Sequence, residues 1–181
     1  MKVRNLFLAA LPVVLAGSLA ACSDSNKSAD VTDGIRKSLD QAGYKDVSVS
    51  QDRDKGVVTL TGSVPTDSDK AQAESLAKSG AGAQVVADQI AVRPPGNESD
   101  AKTVDSDMDK AIEKNFDAVL VKNRLQKNVK YDVKNGVVTL TGDVHSQSNR
   151  AMVEKLAATV PNVKQVVNEL EVKGQKASSS S

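Results

Sequence analysis

Residues that could support catalysis or bind a metal are few and scattered in this sequence. His145 is the single histidine and Cys22 the single cysteine, and neither is accompanied by acidic residues at the spacing of a ligand set or a general base. The segment Asp52–Gly56, of sequence DRDKG, lacks the third acid and the distal glutamate of a calcium loop and is better explained as a hairpin turn. Hydroxyl residues are plentiful, yet a nucleophile needs a positioned base. We therefore predict no catalytic residue, no metal and no cofactor, and a protein that is not an enzyme.

The composition also argues against binding to nucleic acid. The formal net charge is +1 and aromatic residues make up 2% of the chain, whereas a nucleic-acid surface needs a strong positive field and stacking rings. Residues 30–92 contain 7 Lys/Arg and 10 Asp/Glu, and residues 107–173 contain 11 and 9. An acidic first half and a basic second half could attract each other, or the second could face an anionic surface. An ordinary solvated surface would explain the same difference.

The clearest feature of the sequence is an internal repeat. The segment Gly56–Gly62 recurs unchanged 80 residues later as Gly136–Gly142, and the gap-free alignment extends to Val92 and Val172 with 15 identities in 37 positions. Most of the shared residues are apolar or turn-forming, so they are expected to hold a fold rather than to carry out chemistry. The structural residues of this repeat are its glycines: Gly56, Gly62, Gly136 and Gly142.

Each copy of the repeat predicts the same order of elements. Apolar and polar residues alternate over Val129–Val133, and Asn135-Gly136 then favours a tight hairpin turn because both residues tolerate positive φ. Thr66 and Ser146 offer capping hydroxyls for a helix that leads to a last strand, and a further helix precedes each hairpin. We therefore predict an α+β fold with two α-β-β-α-β modules, each a three-stranded mixed sheet with its helices on one face.

Two motifs resemble those of the BON domain family. The first is Gly-Val-Val-x-Leu-x-Gly-x-Val, found at Gly56–Val64 and Gly136–Val144, and the second is Val-x-x-Val-x-Asn-x-Leu at Val163–Leu170. The first module has Asp88 where the family has asparagine. BON domains occur in osmotically inducible periplasmic proteins and in two-domain outer-membrane lipoproteins. The resemblance therefore implies a non-enzymatic envelope protein that supports envelope integrity or tolerance of osmotic stress.

The amino terminus is typical of an exported lipoprotein. A basic start and an apolar stretch too short to span a bilayer precede Leu19-Ala20-Ala21-Cys22, which resembles a lipobox. We predict that Cys22 carries lipid that anchors the protein in a membrane. Ser23, in place of the aspartate that retains lipoproteins at the inner membrane, favours the outer membrane. The alternative is an ordinary signal peptide with a chance cysteine.

The remaining divisions follow from composition. Two prolines and a glycine among polar residues after Arg93 predict a solvated linker, and four terminal serines predict disorder. The predicted divisions are a signal peptide at 1–21, a lipidated cysteine and tether at 22–29, a first BON domain at 30–93, a linker at 94–105, a second BON domain at 106–173 and a disordered tail at 174–181.

The helix predicted over residues 106–126 does not fit the repeat. Aligning Val121 and Leu125 with Ile35 and Leu39 places that pair on the sheet. A different face then carries Phe116, and a third side carries three basic residues. The candidate contacts for lipid or a partner are Lys110, Lys114, Phe116 and Arg124.

This helix could lie in an anionic headgroup layer, with Phe116 inserted beside the basic residues. The family resemblance also implies that the corresponding helix of a second BON domain can bind anionic phospholipid. The alternative is that the apolar face around Phe116 packs against the first module or folds back on its own sheet.

Two functions are consistent with the sequence. The first is a membrane-anchored envelope lipoprotein that binds phospholipid or a membrane surface. The second is a periplasmic protein–protein adaptor or chaperone-like factor that uses exposed sheet edges. An exposed Phe116 among lysines would favour the lipid function, and an exposed apolar strand edge would favour the adaptor.

Overall fold

The computed structural model describes residues 27–173, which form two copies of one α+β module. The first copy consists of α1 (Thr32–Gln41), β1 (Val47–Asp52), β2 (Val57–Val64), α2 (Asp67–Ala81), β3 (Val85–Asp88) and β4 (Ala91–Val92). The second consists of α3 (Glu98–Lys122), β5 (Val129–Lys134), β6 (Val137–Val144), α4 (Gln147–Ala158), β7 (Gln165–Asn168) and β8 (Glu171–Val172). The predicted signal peptide, the lipidation site at Cys22 and the predicted tail lie outside the described residues.

Both sheets have the predicted mixed topology. The long strand β2 pairs antiparallel with β1 and parallel with β3 and β4, and β6 pairs in the same way with β5, β7 and β8. The last strand of each module is interrupted where a side-chain oxygen accepts a hydrogen bond from the backbone N–H two residues further along the chain. Asp88 Oδ1 accepts from the Ile90 N–H at 3.1 Å, and Asn168 Oδ1 accepts from the Leu170 N–H at 3.2 Å. The predicted fold class is confirmed, with the third strand in two pieces.

One glycine in each long strand is required by the close approach of its neighbour. Gly62 and Gly142 have φ of +110° and +111°. A Cβ at Gly62 would lie 2.0 Å from the carbonyl oxygen of Asp46, and one at Gly142 would lie 2.3 Å from that of Asn128. Only glycine fits at these two positions, which explains physically why the repeat keeps them.

The two sheets pack against each other through the faces that carry no helix. Val58 and Leu60 point into the first core, so Val57 points to the opposite side of β2. The buried contact is formed by two pairs of repeat equivalents, which are Val57 with Val137 and Ala87 with Val167. The modules are therefore related by an approximate two-fold rotation.

A side chain from the second module covers the edge of β3. Gln165 Nε2 donates to the Val86 carbonyl oxygen at 2.7 Å, and Gln165 Oε1 accepts from the Asp88 N–H at 3.1 Å. The amide group thus takes the place of a neighbouring strand on this edge. The repeat equivalent of Gln165 is Val85, an exposed valine without such a group.

The last part of the segment predicted as a linker, residues 98–105, is helical, because α3 begins at Glu98. Glu98 and Asp100 lie in the first turn of the helix, where negative charge favours helix formation. The early part of α3 is also tied to the first module, since Arg93 Nη1 lies 2.5 Å from Asp105 Oδ2. The two modules are therefore connected by the short segment 93–97 and then by α3 itself.

The predicted alignment of this helix is wrong. Val121 is 59% exposed, whereas Ile112, Phe116 and Leu120 form the buried stripe. The N–H of Leu125 donates to the carbonyl of Leu120, just as Tyr44 donates to Leu39 in the first module. Phe116 and Leu120 are therefore the true equivalents of Ile35 and Leu39. Apolar residues recur on two faces of this helix, and spacing alone did not distinguish the faces.

Candidate functional site

Phe116, predicted as a contact for lipid or a partner, is a core residue. Its side chain is 0% exposed and packs edge-on against the ring of Tyr131, with ring centroids 4.9 Å apart. Burial, together with a 2.6 Å hydrogen bond to Asp117, raises the pKa of the Tyr131 hydroxyl. The assignment of Phe116 as a surface contact is wrong, and the alternative in which it packs on its own sheet is correct.

The three basic candidates are exposed but do not form one helical strip. Lys110 and Lys114 lie on the solvent side of α3, and Lys110 is 3.3 Å from Asp107. Arg124 lies beyond the end of the helix and has a φ of +57°. Exposed Lys122 and Lys127 lie near it in the sequence. The basic residues are therefore concentrated around the carboxyl end of α3.

Exposed apolar side chains lie in the same helical layer. Val121 is 59% exposed on α3, and Met152 is 42% exposed on α4. Met152 belongs to a shallow depression of about 580 Å³ along the outer side of α4, which Glu154 and Lys155 also line. We call these residues the helical surface of the second module: Lys114, Val121, Lys122, Arg124, Met152 and Lys155.

The first module has no matching surface. Gln72 occupies the position of Met152, and its Oε1 accepts from the Tyr44 hydroxyl at 2.8 Å. Ser75 and Lys78 replace Lys155 and Ala158 along the same side of the helix. The combination of apolar and basic groups is therefore particular to the second module.

Side-chain size explains why the helices are spread in the second module. In the first module α1 packs closely on α2, and a Cβ at Gly80 would lie 2.7 Å from Cγ1 of Ile35. The equivalent residues are Val160 and Phe116, both larger and both buried. Because these side chains occupy the space, the backbones of α3 and α4 lie farther apart than those of α1 and α2. The helical surface of the second module is correspondingly wider.

A buried carboxylate lies where the last strand of the first module breaks. Asp88 is 7% exposed, its Oδ2 is 3.7 Å from Lys70 Nζ, and that ammonium group also donates to the Ile90 carbonyl at 2.7 Å. Burial raises the pKa of Asp88, and the nearby Lys70 opposes that rise. In the second module Asn168 and Arg150 take these positions without a buried acid, with Arg150 Nη2 donating to the Asn168 carbonyl at 2.7 Å.

Asp88→Asn should stabilise the first module at neutral pH by about 1 kcal/mol, because it removes a buried charge and keeps the amide oxygen that accepts from Ile90. A carboxyl whose pKa is raised on folding binds its proton more tightly in the native state, so native stability falls as the pH rises above the unfolded value near 4. The gain from the substitution should therefore grow between pH 4 and neutrality. Urea unfolding across this range measures it.

The exposed Asp46→Asn is the control and should leave the pH dependence unchanged. An Asp88→Asn variant that is less stable than the wild type at neutral pH would show that the ion pair with Lys70 outweighs the cost of burial.

The structure also bears on a metal site and on a membrane-spanning helix. His145 is exposed just after β6, and residues 27–173 contain no group of three His, Cys, Asp or Glu side chains placed to hold a metal ion. Within the same residues, no helix combines the length and the apolar character needed to cross a bilayer.

The repeated helix-and-sheet unit defines a class of protein built from two copies of one small domain. The BON domain model matches residues 23–94 and 108–174. The chain therefore belongs to the BON domain family, as the two motifs predicted.

One known protein and two solved structures are similar to parts of this chain. Osmotically-inducible protein Y of Escherichia coli (strain K12) is 31% identical over 137 residues, which cover 75% of this chain and 67% of that protein. Two structures of CdsD, a structural protein of the type III secretion system of Chlamydia trachomatis, are 15% identical and cover 78% of this chain. The chain spans 65% and 61% of those structures, and the TM-score of 0.29 does not establish a shared fold.

Proposed function

We propose that this protein is a non-enzymatic lipoprotein of the cell envelope, and that the helical surface of its second module contacts anionic phospholipid. The BON domains and the similarity to an osmotically inducible protein fit a role in the envelope under osmotic stress. Lipid on Cys22 would anchor the protein, with the outer membrane as the expected site. The second module would then contact the surface of the same membrane in which Cys22 is anchored.

The observation that supports this proposal is the exposure of Val121 and Met152 among basic residues. Residues 114–127 contain four Lys or Arg and a single acid, Asp117, which accepts a hydrogen bond from Tyr131. Each basic residue near an anionic bilayer contributes about 1 kcal/mol, and a shallow apolar side chain adds to this. An existing lipid anchor raises the effective concentration, so even a weak contact is sufficient.

Reversing the charge at Lys122 and Arg124 tests the membrane contact. The Lys122→Glu/Arg124→Glu variant of the unlipidated chain from Ser23 onward should bind phosphatidylglycerol vesicles at least about 30-fold more weakly, because two attractions of about 1 kcal/mol are lost and repulsion is added. Co-sedimentation with phosphatidylglycerol and with phosphatidylcholine vesicles measures the effect.

The matched control is Lys37→Glu/Lys45→Glu, which changes the net charge equally on exposed residues of the first module. The control should keep most of the binding. Unchanged binding by the Lys122→Glu/Arg124→Glu variant, or an equal loss in the control, would rule out a specific contact through this surface.

A second function, that of a protein–protein adaptor, is favoured by β7. This strand pairs only with β6 among residues 27–173, whereas the equivalent edge of β3 is covered by Gln165. An edge strand can accept an extended segment of another protein. Crosslinking to envelope proteins from exposed residue 164, just before β7, compared with crosslinking from exposed residue 85 at the start of β3, would test this alternative.

A further inference from the structure

A cleft of about 590 Å³ lies between the two modules, away from the helical surface of the second module. One wall is the early part of α3, which carries Lys102. Lys134 at the end of β5 and Ser63 of β2 also line the cleft. The volume falls within the range of small-molecule sites, which occur preferentially where domains meet.

The approximate two-fold rotation relates this cleft to a smaller one of about 370 Å³. The smaller cleft is lined by Glu169 and Glu171, and the Lys55 ammonium group pairs with Glu171. The repeat equivalents of the two glutamates in the larger cleft are Gln89 and Ala91. The larger cleft therefore has neither these two acids nor an equivalent ion pair across it.

Several charged groups around the larger cleft have partners within the protein. Arg93 is paired with Asp105 at 2.5 Å. The carboxylate of Asp109 accepts from the N–H groups of Asn135 at 2.8 Å and Gly136 at 2.9 Å. The bonds to Asp109 hold the second hairpin turn in place, while its negative charge remains in the lining of the cleft.

Three lysines and one glutamate remain. Lys102 and Lys134 have no salt bridge to any residue in 27–173, and Lys110 has only the exposed contact with Asp107, which contributes little. Glu113 is the remaining acid in the lining. The lining thus contains four basic and three acidic side chains, a formal net charge of +1, and two of its four basic groups have no carboxylate partner among residues 27–173.

We propose that this cleft binds a small ligand that carries a phosphate group, with Lys102 of α3 and Lys134 of β5 contacting it. A phosphate offers several strong acceptor oxygens and up to two negative charges, so it can satisfy ammonium groups from different directions. The Ser63 hydroxyl supplies an additional donor in the lining. The site shares no residue with the helical surface, so it does not depend on the membrane contact.

Titration of the protein with glycerol phosphate, followed by nuclear magnetic resonance, tests this inference. Wild-type protein should show saturable shifts at cleft residues such as Ser63 and Gln89. The Lys102→Gln/Lys134→Gln variant should bind at least about ten-fold more weakly, a loss of about 1.4 kcal/mol. The Lys37→Gln/Lys45→Gln variant loses the same charge elsewhere and should bind as the wild type does.

Two results would overturn the inference. One is the absence of saturable shifts at the cleft in the wild type, and the other is an equal weakening in both double variants, which indicates attraction by net charge alone. Phosphatidylglycerol vesicles then distinguish the source of the phosphate. If the Lys102→Gln/Lys134→Gln variant also loses vesicle binding, the ligand is a lipid headgroup; if vesicle binding is kept, the ligand is a soluble phosphate compound.

Discussion

Replacing Gly142 with alanine should destabilise the second module by roughly 3–5 kcal/mol, a large part of the stability of a domain of this size. The new Cβ would lie 2.3 Å from the carbonyl oxygen of Asn128, and the residue would have to keep a φ of +111°. The atom in its way belongs to the backbone, so no rotation of a side chain relieves the clash. Gly62→Ala should have the same effect in the first module, where the distance to the Asp46 carbonyl oxygen is 2.0 Å.

Gly34→Ala is the matched control. Gly34 lies within α1, and a Cβ there would meet nothing within 4 Å. Alanine is preferred over glycine in a helix, so this variant should be more stable by up to about 1 kcal/mol. Urea unfolding followed by circular dichroism compares the two. A cost below about 1 kcal/mol at Gly142 would mean that the strands can separate to admit a side chain.

Phe116→Ala should cost about 3–5 kcal/mol, the usual range for removing a buried aromatic ring. The ring is fully buried, and its edge-on contact with Tyr131 would be lost as well. Thermal or urea unfolding of the variant measures the loss. Its binding to vesicles should be unchanged wherever the variant is still folded, because the ring does not reach the surface.

Val121→Ser is the control, and we expect it to change vesicle binding but not stability. Val121 is 59% exposed, so its replacement should leave stability within about 0.5 kcal/mol and weaken binding to phosphatidylglycerol vesicles. If Phe116→Ala instead weakened binding without loss of stability, the ring would have to leave the core at the membrane, and the sequence-based assignment of Phe116 would be restored.

Local features of this fold could be predicted because local chemistry decides them. Asn135 and Gly136 have φ of +51° and +82°, as their tolerance of the left-handed region predicted. Thr66 and Ser146 accept from the backbone N–H groups of the first turns of α2 and α4, both at 3.1 Å. Each of these residues acts within three positions of itself. Because the sequence repeats, the turns and helix caps predicted for one module could also be predicted for the other.

The features that the sequence did not predict depend on residues far apart in the chain. Gln165 covers the edge of β3, and Asp109 holds the hairpin turn at Gly136. Both look like ordinary polar surface residues in the sequence. The direction in which Phe116 points was also undetermined, since α3 has apolar residues on two sides. Only the contact with Tyr131 and the position of the helix end settle it.

The attachment of α3 to both modules has a mechanical consequence. Arg93 and Asp105 fix one end of α3 to the first module, while Phe116 and Leu120 embed the other end in the second. Together with the buried contact between the two sheets, these attachments hold the two modules in one arrangement. A protein tethered to a bilayer through its first half would accordingly hold its second half at a fixed angle to that tether.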